Sequence, residues 1–223
     1  MLGELLSGNL NFIGAVVYIL SSLAVIFLTM PVHEFAHGFV ADKLGDPTPR
    51  YQGRISLNPF AHIDYIGALC ILLFGFGWAR PVQVNGYNFR KPKRDMAIVA
   101  AAGPVSNLLM AFIFLTITNS ILAITNALGL YYIVSFFYYI AKINVYLAVF
   151  NLIPVPPLDG SRILSIFLPD RIYYKLMQYE RYIYFILLGL LLLGVLDIPL
   201  SNMSNTLLRI LDGIASLPFK FLR

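Results

Sequence analysis

Two long stretches without charged side chains constrain this chain more than any other feature of its sequence. Residues 5–32 contain no Asp, Glu, Lys or Arg over 28 positions, and residues 96–141 contain none over 46. A helix needs roughly 20 apolar residues, at about 1.5 Å each, to cross about 30 Å of hydrocarbon. The first stretch therefore predicts one membrane crossing, and the second predicts two, joined by a turn near 126–129.

The composition supports an all-α membrane protein. Hydrophobic residues make up 59% of the chain and charged residues 12%, whereas about 25% of the residues in soluble domains are charged. We predict a single integral membrane domain, residues 1–223, with an amphipathic C-terminal helix around 200–214 that lies in the membrane interface. About four transmembrane helices are expected: residues 10–40 with a kink at Pro31, 95–125, 130–152, and 182–196 extended back to about 171.

The connection between the first two helices, residues 41–94, is too long for a simple loop. Residues 65–79 are uncharged but contain three glycines, so we expect them to dip into the membrane or to pack on the helices. Residues 80–89 predict a β-hairpin with its turn at Asn85-Gly86. Together these segments predict a re-entrant, partly β element that is shielded from lipid, because lipid offers the backbone no hydrogen bonds.

The net charge of +5 indicates orientation rather than binding of nucleic acid. Residues 41–94 hold eight of the sixteen basic residues and 161–181 hold four, whereas 1–10 and 126–129 hold none. The positive-inside rule then places both basic segments in the cytoplasm. We expect a multi-pass protein of the cell membrane, in contact with the lipid bilayer and without a nucleic-acid partner. The oligomeric state stays open.

The pattern His33-Glu34-Phe35-Ala36-His37 carries the chemistry. On a helix, a spacing of four places both imidazoles on one face, about 6 Å apart along the axis, which suits two ligands of one Zn²⁺. Glu34, beside the first ligand, can act as general base toward a water molecule at the metal. A chance match is the alternative. The position at the end of a transmembrane helix favours function, because ionisable groups are costly there.

A catalytic zinc site typically has three protein ligands and one open position. Helices one and three both end on the cytoplasmic side, and Asp159, just after helix three, is the only acidic residue between Asp95 and Asp170. We predict Asp159 as the third ligand, on a stiff polyproline-like segment, with Gly160 permitting a sharp exit. Alternatively, the prolines at 154–157 only terminate the helix. One Zn²⁺ per chain is expected, although these ligand types also bind Fe²⁺ or Co²⁺.

Taken together, the motifs resemble the site-2 protease family of intramembrane zinc metalloproteases, in its short bacterial and archaeal form without a PDZ or CBS domain. The residues that carry the resemblance lie within roughly 20–170: His33-Glu34-x-x-His37, Ser56 to Asp64, Gly103-Pro104-Val105-Ser106-Asn107, and Asn151-x-x-Pro154-x-Pro156-x-Leu158-Asp159-Gly160. The resemblance implies peptide-bond hydrolysis within the membrane. It further implies that His33, His37 and Asp159 bind zinc, that Glu34 is the base, and that substrates are single-span membrane proteins.

Asn107 and His62 are two further candidate site residues, and each has an alternative role. Asn107 can donate to the oxyanion or orient the substrate, or it can hydrogen-bond between helices beside Gly103. His62 is a candidate donor near the site, oriented by Asp64, or a surface histidine.

The predicted hairpin can pair with substrate as an added strand, or it can simply cover the cavity. The alternative function is a non-proteolytic membrane zinc protein, either a transporter or a scaffold. A transporter is expected to carry ligands through the depth of the bilayer and often an internal repeat. Here the candidate ligands lie at one level, and we find no repeat in the sequence.

Overall fold

The computed structural model describes residues 12–74, 77–124 and 130–220. Every regular element within these ranges is helical, and none of the described residues forms a β-strand. The prediction of an all-α protein is therefore confirmed for the part of the chain that is described.

Helix α1 spans Phe12–Lys43 and contains one π-helical turn, Val25–Thr29. Its predicted start at residue 10 lies outside the described residues, and its end is three residues beyond the prediction. The predicted kink at Pro31 stays a prediction, and the π-helical turn ends at Thr29, two residues before this proline. Proline has no N–H to donate to the carbonyl four residues back. The helical hydrogen bonds change their spacing just before this proline: the Met30 N–H bonds to the Val25 carbonyl, five residues back instead of four.

The described residues of the connection after α1 form two short helices and two 3₁₀ turns. These elements are α2 at Thr48–Tyr51, a 3₁₀ turn at Pro59–Ala61, α3 at Tyr65–Phe74, and a 3₁₀ turn at Gly86–Asn88. Ile71 of α3 is fully buried in the main hydrophobic core. Helix α3 therefore packs on the long helices, which is one of the two placements expected for residues 65–79.

After α3 the chain reverses, and the backbone at Gly77 and Trp78 lies directly on Gly67. A Cβ atom added to Gly67 would stand 2.0 Å from the carbonyl oxygen of Trp78, and one added to Gly77 would stand 2.0 Å from the carbonyl oxygen of Gly67. Only glycine permits so close an approach of two backbones. Two of the three glycines noted in this segment thus allow the chain to fold back on α3.

The β-hairpin predicted for residues 80–89 is not formed. Residues 77–85, named here the 77–85 segment, have no regular secondary structure. Side chains bind the backbone groups that a hairpin would pair: Glu34 accepts from the Val82 N–H, Asp46 accepts from the Asn85 N–H, and Arg54 donates to the carbonyls of Arg80 and Pro81. The Asn85 side chain also accepts from the Tyr87 N–H, which caps a 3₁₀ turn in place of a hairpin turn.

Helices α4, Pro92–Ile124, and α5, Tyr131–Asn151, begin and end within three residues of the prediction. The turn expected near 126–129 lies outside the described residues. Helix α4 packs against both α1 and α5, and small residues such as Ala97 and Ala111 on its buried side allow close contact. Within the described residues, α1, α4 and α5 are long and apolar enough to cross a membrane.

Among the described residues, four further α-helices and a 3₁₀ turn at Leu217–Phe219 follow α5. The helices are α6 at Asp159–Leu164, α7 at Asp170–Gln178, α8 at Glu180–Leu192, and α9 at Asp197–Ser216. The predicted fourth transmembrane helix is therefore divided at Tyr179, and it ends before Gly194, whose φ of +70° favours glycine. Helices α8 and α9 are bent by 83° relative to each other. The described chain thus has three candidate crossings, or four if this bent pair forms one span.

Helix α9 corresponds to the tail that we expected in the membrane interface. Its residues Leu200, Leu208 and Ala215 are buried in the main core, and the helix packs on α4 and α5. A hydrogen bond of 2.8 Å from Asn119 Nδ2 on α4 to Asp212 Oδ1 adds a polar contact. Part of the predicted apolar face therefore packs on other helices, whereas Met203 and Ile214 of the same face are exposed. The position of α9 in the membrane interface stays a prediction.

Asp46 connects the end of α1 to the 77–85 segment and is fully buried. It accepts four hydrogen bonds of 2.6–3.1 Å: two from Thr48, one from the Asn85 N–H and one from Asn88 Nδ2. Burial by itself raises the pKa of Asp46, but these four donors hold the pKa of this carboxyl below its ordinary value of 3.8. Asp46 therefore accepts these hydrogen bonds as the ionised carboxylate.

We expect Asp46→Asn to lower the free energy of unfolding by about 2 kcal/mol at neutral pH, because the amide leaves buried donors without an acceptor. Since the folded-state pKa of Asp46 is depressed, its contribution is complete above 3.8 and is lost as the pH falls through the folded-state value. Thermal unfolding in detergent measures the stability of both proteins. We expect the difference in stability between wild type and variant to be constant near neutral pH and to shrink below pH 3.8.

Asp64→Asn is the matched control. Asp64 accepts the N–H of Gly67 at the start of α3, and asparagine caps a helix as well as aspartate does. The role of the Asp46 carboxylate is contradicted if Asp46→Asn and Asp64→Asn lose equal stability. It is also contradicted if the stability difference between wild type and Asp46→Asn grows in acid.

Candidate metal centre

His33 and His37 lie on one face of α1, as their spacing predicts. Their Nε2 atoms are 3.0 Å apart, and the two rings meet edge to face with centroids 4.6 Å apart. Two imidazole nitrogens at this distance cannot both carry a proton between them. In the tautomers that leave both Nε2 atoms unprotonated, their lone pairs can face one common metal ion.

Asp159 begins the short helix α6 and brings its carboxylate to the same point. Its Oδ2 atom lies 3.5 Å from His33 Nε2 and 3.3 Å from His37 Nε2. The expected polyproline-like segment before it is wrong: the N–H of Val155 bonds to the Ile153 carbonyl and the N–H of Leu158 to the Val155 carbonyl, so this part of the chain is a series of turns.

Glycine is needed at position 160 for a different reason from the sharp exit that we expected. It lies inside α6, and it does not have a positive φ. A Cβ atom at this position would stand 2.3 Å from the carbonyl oxygen of Leu152 and 2.5 Å from that of Ile153. The glycine therefore lets α6 begin against the end of α5, and this contact places Asp159 beside the histidines.

The three ligand atoms fit a zinc ion. Zinc–ligand bonds of about 2.0–2.1 Å at tetrahedral angles separate two ligand atoms by about 3.3 Å. The observed separations of 3.0, 3.3 and 3.5 Å enclose this value. Asp159 Oδ2 is also buried without a hydrogen-bond donor, as expected of an atom whose partner is a cation. These residues form the one group of three or more potential ligands found among the described residues.

Hydrogen bonding and charge prepare the ligands for a cation. The Nδ1 of His37 lies 2.8 Å from the Val99 carbonyl oxygen on α4, so Nδ1 carries the proton and the Nε2 lone pair faces the cluster. Two neutral nitrogens and one carboxylate are the donor set of a catalytic zinc site.

Gly103 on α4 lets the helix backbone touch both imidazoles. A Cβ atom there would stand 2.3 Å from His37 Nε2 and 2.5 Å from His33 Nε2. Any side chain at this position would therefore occupy the space of the ligand atoms. The small residue that the sequence associated with helix packing also sets the geometry of the site.

Glu34 points from α1 toward the 77–85 segment. It is buried, with 7% of its surface exposed, and its Oε2 accepts a 3.0 Å hydrogen bond from the Val82 N–H. Glu34 and the three metal-ligand candidates line the same cavity. The base predicted by the sequence is thus fixed by a backbone group 48 residues away.

The cavity has a volume of about 530 Å³ and lies between α1, α4, the end of α5, α6, α8 and the 77–85 segment. Its polar and charged lining is extensive: His33, Glu34, His37, Gln83, Asn107, Asn151, Asp159, Arg162, Glu180 and Tyr184. Such a lining can hold water at the metal-ligand cluster. The edge-to-face contact of Trp78 with Tyr184, at 6.2 Å between centroids, joins the 77–85 segment to α8.

The two weaker candidates differ in position. Asn107 lines the cavity, is almost fully buried, and its Oδ1 has no hydrogen-bond partner among the described residues. His62 is not part of the cavity lining. The surface alternative for His62 is wrong, because this residue is 1% exposed and its Nε2 lies 2.7 Å from the Ser56 carbonyl oxygen. Asp64, expected to orient His62, instead accepts the N–H of Gly67.

Arg54 is the residue near the site that sequence reasoning missed. It is buried, and its guanidinium donates to the carbonyls of Ala61, Arg80 and Pro81. Burial lowers the pKa of Arg54, the Glu34 carboxylate acts in the opposite direction, and Arg80 adds to the lowering. In the sequence, Arg54 is one of eight basic residues in the same segment, and no local signal separates it from the others.

Comparison with known proteins identifies a matching family and several relatives. The sequence profile "Peptidase family M50" matches residues 119–194, which include Asp159. A protein of Bacillus subtilis, YwhC, whose name describes it as a zinc metalloprotease, is 40% identical over 184 residues, which is 78% of this chain and 82% of that protein. MJ0611 of Methanocaldococcus jannaschii, with a similar name, is 30% identical over 60% of this chain and 63% of its own. No solved structure matches.

We expect Gly103→Ala to abolish zinc binding, because its methyl group would stand 2.3 Å from His37 Nε2 and 2.5 Å from His33 Nε2 and would displace both imidazoles. Zinc content of purified protein, measured by elemental analysis, checks this. Gly213→Ala on α9 is the matched control, since a Cβ there meets nothing within 4 Å, and alanine in a helix is more stable than glycine by about 1 kcal/mol. Full zinc content in Gly103→Ala contradicts the inference that the imidazoles need a glycine at position 103.

Proposed function

Because the chain belongs to peptidase family M50, the site-2 protease family of zinc metalloproteases, we propose that it is an intramembrane endopeptidase. It hydrolyses peptide bonds in or near transmembrane segments of membrane proteins and uses one Zn²⁺ per chain. The observation that carries this proposal is the convergence of His33, His37 and Asp159 beside Glu34 in one polar cavity.

The depth of the cluster supports cleavage inside the membrane. Both imidazoles contact Gly103, which follows Asp95, the last charged residue before the 46-residue uncharged stretch, by eight positions. Eight residues of helix correspond to about 12 Å, or more than a third of about 30 Å of hydrocarbon. At that depth the site needs its own supply of water, and the polar lining of the cavity provides a route.

The chemistry follows from the positions of the side chains. When bound, zinc polarises the scissile carbonyl and lowers the pKa of a water molecule toward about 7. His33, His37 and Asp159 hold the metal, and the Val99 carbonyl orients His37. Glu34 takes the proton of the attacking water and passes it to the leaving amine. The Val82 N–H keeps the Glu34 carboxylate turned toward the cavity.

Asn107 is proposed to stabilise the oxyanion that forms on the scissile carbonyl. Its buried amide lines the cavity, where the Nδ2 group of an amide can donate to an oxyanion. The alternative, an interhelical hydrogen bond through Oδ1, is not formed with any described residue. His62 is not among the residues that line the cavity, and its contact with the Ser56 carbonyl favours a role in holding the loop at 56–62 together.

Substrate binding is proposed to use the 77–85 segment. A transmembrane helix hides its carbonyls, so it must unwind before attack, and an unpaired backbone edge can hold the unwound part as an added strand. Exposure alternates from Pro81 to Asn85, as in extended chain. By this alternation the N–H groups of Val82 and Val84 point to the same side, which is the side of Glu34.

The orientation in the membrane is proposed from the basic residues. Residues 41–94 and 161–181 carry twelve of the sixteen basic residues, and both flank the end of the molecule that holds the metal-ligand cluster. The positive-inside rule then places the active site toward the cytoplasmic side of the cell membrane. Lipid bilayer and single-span membrane proteins are the proposed partners, with no nucleic acid.

We expect Glu34→Gln to abolish cleavage of transmembrane peptides in reconstituted vesicles while leaving zinc content nearly unchanged. Asp159→Asn is expected to lower zinc content as well as activity, because it removes an anionic ligand. Peptide products are measured by mass spectrometry, with a chelator as a further arm. Cleavage that persists in Glu34→Gln, or that is indifferent to the chelator, overturns the mechanism.

We expect Val84→Pro to reduce cleavage without releasing zinc, because proline removes an N–H that can bind the substrate backbone. Gln83→Pro is the matched control, since by the same alternation its N–H points away from Glu34. The kinetics of peptide cleavage and the zinc content are measured for both. Equal activities of Val84→Pro and wild type count against strand addition.

A further inference from the structure

One peptide unit joins a buried cation to the proposed base. The carbonyl oxygen of Pro81 accepts a 3.1 Å hydrogen bond from Arg54 Nη2, and the N–H of Val82, in the same peptide unit, donates a 3.0 Å hydrogen bond to Glu34 Oε2. Because the peptide unit is planar, fixing its carbonyl fixes the direction of its N–H. Arg54 thereby sets the direction of the bond that holds Glu34.

The charges at the two ends of this unit reinforce each other. A guanidinium at the carbonyl oxygen and a carboxylate at the N–H both favour the same orientation of the amide dipole. Glu34 is 7% exposed and Arg54 is 8% exposed, so water screens these interactions little. A cation without its hydrogen bonds would be costly at this burial, and the carbonyls of the loop supply them.

Arg54 also binds backbone groups next to this peptide unit. It donates to the carbonyl of Arg80, one residue earlier, and to the carbonyl of Ala61 in the adjacent loop. A planar guanidinium with several donors can bind three carbonyls at once, whereas an ammonium presents a compact point charge. At the other end of the segment, Asp46 holds the Asn85 N–H. The backbone between these two points has a defined course beside Glu34.

We propose that Arg54 is a positioning residue of the protease, which acts on Glu34 through the Pro81–Val82 peptide unit. It does not belong to the lining of the cavity. Its effect is on the placement of the Glu34 carboxylate and therefore on the chemical step. The inference rests on the proposed role of Glu34 as the base.

The test compares Arg54→Met, Arg54→Lys and Val82→Pro with wild type by kcat, KM and zinc content on a reconstituted transmembrane peptide. We expect Arg54→Met to lower kcat about tenfold or more, because small misplacement of a catalytic group is costly, with KM and zinc content within about twofold of wild type. Arg54→Lys is expected to recover part of kcat. Arg50→Met is the control, since Arg50 makes an exposed ion pair with Asp42.

Val82→Pro separates this mechanism from a general effect on the fold. It removes the N–H that Glu34 accepts but leaves the Arg54 carbonyl acceptors in place, and we expect it to lower kcat to a similar extent. Because both variants act on one path, Arg54→Met in the Val82→Pro background is expected to lower kcat no further. Effects that multiply in the double variant overturn the proposal, as does unchanged kcat in Arg54→Met.

If Arg54→Met does not fold, Val82→Pro and Arg54→Lys decide, and unchanged kcat in Val82→Pro overturns the proposal. Glu34→Gln separates this inference from the proposed function. Wild-type cleavage by Glu34→Gln refutes the function itself. An inactive Glu34→Gln with a fully active Arg54→Met refutes only the role of Arg54.

Discussion

The contact between α4 and the two imidazoles at Gly103 is the constraint on which the site depends. It brings α1 and α4 together where His33 and His37 point inward, and it places the Val99 carbonyl against His37 Nδ1. Asp159 can reach the same point because Gly160 lets α6 begin on the end of α5. Two glycines thus define a space that admits three ligand atoms and a metal ion, and any larger residue would fill it.

The second constraint is the supply of hydrogen bonds to backbone without regular structure. The 77–85 segment runs along the wall of a cavity in an apolar protein, where unpaired peptide groups are costly. Three buried charged side chains meet this need: Glu34, Asp46 and Arg54 bind its N–H and carbonyl groups. A segment held by side chains keeps part of its own edge free for a substrate. Glu34 has two roles, since it holds this segment and is the proposed base.

Much of the fold follows from the local composition. Helix α1 and the pair α4 and α5 were predicted within a few residues, because their length is set by hydrocarbon thickness and their ends by charges. The β-hairpin was wrong, since alternation of residues at 80–89 indicates extended chain but not its hydrogen-bond partners. The tail was placed in the interface because amphipathic spacing shows that one face is apolar without showing what covers it. In the structure α4 and α5 cover part of this face, and Met203 and Ile214 stay exposed.

The sequence by itself determined the kind of chemistry. In so apolar a chain, the spacing of His33 and His37 on one helix turn and the isolated position of Asp159 after helix three pointed to a metal site, because these patterns depend on local geometry and on the rarity of charge. Only the tertiary structure decided how that site is held. Arg54 looks like seven other basic residues of its segment, and its partners at Ala61 and Pro81 are distant along the chain. Its role arises from a contact that no local pattern encodes.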